Sequence, residues 1–78
     1  MMIEVFGPGC MRCEQTAQVV MKVISESGRD DIGFNKISRL EMITARGVMM
    51  TPAVAVDGVI KCQGKVPTEA EVRGWLEE

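Results

Sequence analysis

Histidine is missing from this sequence, and so is tyrosine. The first absence excludes nucleophilic catalysis by a Cys-His pair and a Cys2His2 zinc site. Neither G-x-x-x-x-G-K-[ST] nor G-x-G-x-x-G occurs, so no phosphate-cradling loop is encoded. Positive charge is scarce: nine Lys and Arg against eleven Asp and Glu give a net charge of −2, and the basic residues are scattered. Binding a nucleic-acid backbone needs a clustered basic face, so that partner is set aside. No apolar run approaches the ~18–20 residues that span a bilayer, so no membrane partner is expected either. The N-terminal M-M-I-E-V-F lacks the basic start, long apolar stretch and cleavage site of a secretory leader and reads as a strand. A cytoplasmic protein is expected, in a compartment that keeps thiols reduced. Three cysteines make an odd number, unlike a secreted disulfide scaffold.

What is present fits one small α/β domain over residues 1–78. A chain this short hides only ~60% of the surface its unfolded form exposes, so its core is small. Ile3 to Phe6 form a first strand, ended by the turn Gly7-Pro8-Gly9. From about Met11 to Ser27 a helical pattern follows. Cys13, Ala17, Val20 and Ile24 line its apolar arc, Glu14, Gln18, Lys22 and Ser25 its polar arc, and Gly28 stops it. Ile32 to Ile37 read as a weaker strand, and Ser38 with Glu41 has the spacing of a capping box before a short helix ended by Gly47. Ala53 to Val56 and Val59 to Cys62 form a hairpin about Asp57-Gly58. Gln63 to Pro67 make a turn, and Thr68 with Glu71 caps a last helix whose buried stripe is Val72, Trp75 and Leu76. The order β-α-β-α-β-β-α predicts a four-stranded mixed sheet flanked by helices, with strands one and two parallel and strands three and four antiparallel.

Chemistry concentrates in G-P-G-C-M-R-C-E, Gly7 to Glu14. Two thiols at this spacing suit a redox couple, a pair of soft-metal ligands, or an inert buried pair. Cys10 falls at the start of the first helix, where unpaired backbone N–H groups and the helix dipole stabilise a thiolate. Its pKa is therefore expected below the free value of about 8.5, with Arg12 adding positive charge. Cys13 lies one turn further, on the stripe facing the sheet. An exposed, acidified sulfur beside a sheltered one is the arrangement that thiol–disulfide exchange needs: Cys10 attacks a disulfide and Cys13 resolves the mixed disulfide. Cys62, in the fourth strand, is expected to be a small core residue.

With these motifs in place, the chain resembles the thioredoxin-like superfamily over essentially its whole length. It is most similar to the minimal redox-active disulfide proteins, which share features with thioredoxin and glutaredoxin. Three stretches carry the resemblance: G-P-G-C-M-R-C, then G-V-M-M-T-P-A from Gly47 to Ala53, then D-G-V-I-K-C-Q-G-K-V-P-T from Asp57 to Thr68. The resemblance implies a thioredoxin-like fold and a cis proline opening the third strand, a position matched by Pro52. Thr51 before it would then offer its backbone to an extended substrate segment. It further implies protein disulfides as substrates, electrons from a separate thioredoxin-reductase-type donor, no bound cofactor and action as a monomer. Met11 and Met50, with Met49, would form a soft apolar rim for partner proteins.

The departures are specific. Gly9 replaces the tryptophan and Met11-Arg12 the Gly-Pro of W-C-G-P-C, and thioredoxin's buried aspartate has no counterpart. The lysine and double glycine of glutathione-binding glutaredoxins are not evident, Gly64 being a partial match. The rival reading is a soft-metal module holding copper with the same two thiols and the methionines. Small copper chaperones also place C-x-x-C after a first strand, but their order is β-α-β-β-α-β, without a Thr-Pro before the third strand.

Overall fold

Alternation along the first strand decides how the sheet is covered. β1 (Met2–Phe6) turns Ile3 and Val5 to one face and Phe6 to the other, and all three are fully buried. A strand buried on both faces belongs inside a sheet. The computed structural model, which describes residues 1–77, has the strand order β2-β1-β3-β4. Here β2 is Gly33–Ile37, β3 is Ala53–Val56 and β4 is Val59–Gln63. β1 runs parallel to β2, with α1 (Met11–Ser27) as the crossover, while β3 is antiparallel to both β1 and β4. With α2 (Leu40–Ala45) and α3 (Glu69–Leu76) the element order is β-α-β-α-β-β-α, a mixed four-stranded sheet flanked by helices.

The two faces are covered unequally. On one, Ala17, Val20 and Val23 of α1 and Val72 and Leu76 of α3 pack against Ile3, Val5, Val54 and Val56. On the other, Ile43 of α2 and the following Val48 pack against Phe6, Ala53 and Ala55. Trp75 and Cys62 are half-buried against the first cluster rather than central to it, because both sit at its margin. Thr16, a polar residue in the apolar arc of α1, is fully buried because its hydroxyl donates to the Arg12 carbonyl at 2.9 Å.

Caps fix the helix ends. Thr68 and Glu71 form the expected capping box of α3, each bonding the other's backbone N–H. The spacing at Ser38 and Glu41 makes no such box. The first helical bond of α2 runs from the Ile43 N–H to the Arg39 carbonyl at 3.0 Å, so Arg39 is the N-cap and Ser38 lies outside the helix. The Glu41 carboxylate meets Arg39 Nε at 3.3 Å instead. At its other end α2 is tied down by Arg46, whose guanidinium donates twice to Glu4 at 2.7 and 2.6 Å and lies 5.5 Å above the Phe6 ring. Hydrogen bonding to Arg46 holds the Glu4 carboxyl below the usual range. Asp57 and Gly58, with φ of 50° and 84°, give the tight hairpin between β3 and β4. Among the described residues no helix is long and apolar enough to cross a membrane.

Candidate active site

Register brings four chain segments to one end of the sheet. Phe6, the last residue of β1, pairs with Ile37, the last of β2, and with Ala53, the first of β3; Ala53 in turn pairs with Gln63, the last of β4. The Gly7–Gly9 turn, the segment before β3 and the segment after β4 therefore emerge side by side.

Cys10 follows the turn as N-cap of α1, with extended backbone and an exposed side chain. Its Sγ accepts the Cys13 N–H at 3.3 Å, doing with sulfur what a capping hydroxyl does with oxygen. The Cys10 carbonyl accepts the Glu14 N–H at 3.0 Å, the first bond of the helix. Cys13, facing the sheet one turn on, is fully buried. Their acidities part accordingly. Hydrogen bonding from the Cys13 thiol, and then from backbone N–H groups of Cys13 and Arg12, pulls the Cys10 thiol below its ordinary value. Burial, and then the Cys10 sulfur beside it, pushes the Cys13 thiol up. Burial does the same for Cys62, with Glu71 adding to it.

Gly7 makes the buried thiol possible. A Cβ at Gly7 would sit 2.3 Å from Cys13 Sγ and 2.6 Å from Cys13 Cβ, so any other residue would displace the cysteine. In the sequence this glycine looks like turn chemistry alone, since no spacing rule reports a contact with a side chain six residues away.

The segment before β3 has one buried anchor at each end. Val48 donates its N–H to the Ile43 carbonyl at 3.3 Å, and Pro52 is fully buried after a cis Thr51–Pro52 peptide bond. Between them Met49 and Met50 are 88% and 60% exposed, and Met11 beside Cys10 is 77% exposed. The amide and carbonyl of Thr51 take no partner among the described residues. Arg12 points its guanidinium to the Gly64 carbonyl at 2.8 Å, and the Gly64 N–H donates to the Pro52 carbonyl at 2.8 Å. Gln63, expected to begin a turn, closes β4 and accepts the N–H groups of Met49 and Met50. Among the described residues no three His, Cys, Asp or Glu side chains are grouped to hold a metal ion.

A mixed sheet with an asymmetric pair of thiols at the first helix N-terminus, beside a Thr–Pro turn, defines the thioredoxin-like class. The sequence comparisons agree with the geometry. A model of the thioredoxin domain matches residues 1–77. The chain is 32% identical over 76 residues to a thioredoxin of Methanothermobacter thermautotrophicus, covering 97% of each chain. It is 39% identical over 74 residues to a thioredoxin of Methanocaldococcus jannaschii, covering 95% of this chain and 84% of that one. The chain belongs to the thioredoxin family, and at family level this is thiol–disulfide oxidoreductase chemistry.

Proposed function

We propose that this protein exchanges its Cys10–Cys13 dithiol with disulfides of protein substrates, acting as a single thioredoxin-like domain. The observation that carries the reading is the asymmetry of the two sulfurs, one exposed and acidified, the other buried with a raised pKa. The Cys10 thiolate attacks one sulfur of a substrate disulfide; the S–S bond breaks and the other substrate sulfur leaves as a thiolate. Cys13 loses its proton and attacks Cys10 Sγ, releasing the second substrate thiol and closing the Cys10–Cys13 disulfide. Two electrons have then passed to the substrate. A separate thioredoxin-reductase-type donor returns the protein to the dithiol, so no bound cofactor takes part.

Thr51 and Pro52 align the substrate, the open Thr51 amide and carbonyl pairing with an extended chain. Met11, Met49 and Met50 form an adaptable apolar rim for different partners. The protein works as a monomer in the cytoplasm, where a reductase keeps its thiols available.

The decisive experiment is equilibration against a dithiothreitol or glutathione redox series, with thiols read by alkylation and mass. A two-electron transition confined to Cys10 and Cys13 is expected. Cys10→Ser should abolish turnover and Cys13→Ser should accumulate mixed disulfides visible on non-reducing gels. Full turnover by Cys10→Ser would overturn the mechanism. Retention of a stoichiometric copper ion without any dithiol transition would favour the soft-metal reading.

A further inference from the structure

The segment that emerges beside the Gly7–Gly9 turn, just before β3, has little of its own to hold it. Residues 49–51 lie outside every helix and strand, and the two methionine side chains reach into solvent. Yet the Met49 and Met50 N–H groups converge on one atom, Gln63 Oε1, at 3.0 and 3.2 Å. Both partners are donors, so only the amide oxygen can face them, and its two lone pairs match two N–H groups. Gln63 is placed for this by its own pairing with Ala53 across the sheet.

The next residue extends the brace in both directions. Gly64 donates to the Pro52 carbonyl and accepts from Arg12, each at 2.8 Å, and so joins the Thr–Pro turn to the helix that carries both cysteines. Its φ of +81° favours glycine, and a Cβ there would lie 3.0 Å from Met50 Cε. A two-residue unit at the end of β4 thus touches both halves of the site.

We propose that Gln63 is a positioning residue: its side-chain oxygen fixes the Met49–Met50 backbone so that Thr51 presents its amide and carbonyl to an extended substrate chain. The inference rests on the exchange reading above. Gln63 touches no reacting atom and acts through the loop. Without its oxygen the two N–H groups turn to water, and the loop must be ordered anew each time a substrate binds. A small disulfide that reaches Cys10 without backbone pairing does not depend on that order.

The test compares two rates for the dithiol form of each protein, reduction of insulin and reduction of dithiobis(nitrobenzoate). Their ratio cancels changes in thiol acidity and in the fraction of folded protein. Gln63→Leu and Gln63→Ala should lower the ratio about tenfold, the scale of two lost hydrogen bonds. Gln63→Glu keeps an acceptor oxygen and should restore it. Because Gln63 is exposed at a strand end, neither truncation empties the core. An unchanged ratio in both truncations, a parallel fall of both rates, or no rescue by Gln63→Glu would each overturn the inference. Wild-type protein that reduces neither substrate would overturn the exchange reading itself, and this inference with it.

Discussion

Thiol chemistry at the residue scale turns on which sulfur is a thiolate near neutral pH. Hydrogen bonds at a helix N-terminus lower the Cys10 pKa, whereas burial, and then Glu71, raises that of Cys62. Alkylation by iodoacetamide follows the thiolate fraction, and a lowered pKa moves the rise in rate to lower pH. In the reduced protein, Cys10 should therefore be alkylated at a pH where Cys62 is still protonated, with buried Cys13 slower than Cys10 throughout. Mass mapping of the three sites across a pH series checks this; coincident profiles for Cys10 and Cys62 would remove the acidification. The Cys10–Cys13 asymmetry was legible in the sequence, because a step of three positions carries the chain from an exposed helix N-cap to the buried face. Gly7 and Gln63 were legible only as turn residues, since no spacing rule reports the approach of Gly7 to the Cys13 side chain or the strand register that brings Gln63 to the Met49–Met50 backbone.

At the scale of the element, α2 is the weakest piece. It has six residues, one buried side chain and an N-cap that offers its helix no side-chain hydrogen bond. The sequence showed a capping-box spacing at Ser38, but the helix begins one residue later, and a cap works only at the residue whose carbonyl takes the first bond. Arg39 occupies that position with the extended backbone a cap requires. Arg39→Ser should therefore gain a hydroxyl acceptor for the first-turn N–H groups. It loses only an ion pair with Glu41 in which both side chains are about three-quarters exposed, an interaction of little worth. The expected result is a gain of about 1 kcal/mol in urea unfolding, with the m-value unchanged. A stability equal to or below wild type would show that the fold sets the start of α2 without regard to its cap.

For the whole molecule, the question is whether two hydrophobic clusters on one thin sheet behave as one core. They share β1 and β3, whose residues alternate between them, so neither face can open without unpairing strands that hold the other. That sharing was legible in the unbroken apolar run of β3, less so in β1, where Glu4 interrupts it; the smaller size of the α2 face was not, because periodicity does not report how much helix covers a sheet. Phe6 is the largest side chain of the smaller cluster and is fully buried beneath Arg46. Phe6→Ala should cost about 3–5 kcal/mol. For a chain of 78 residues the total is about 4–12 kcal/mol, so this one truncation takes a large share of it. A strong fall in urea midpoint is expected, with a single transition seen alike by far-UV circular dichroism and by Trp75 fluorescence. Trp75 packs on the opposite face, so its signal separates the alternatives. If fluorescence keeps the wild-type midpoint while helix signal is lost early, the α1–α3 face survives alone and the two clusters are independent. Coincident curves at the lower midpoint mean that the cysteine pair, carried at the N-terminus of α1 just after β1, loses its geometry only when the whole domain unfolds.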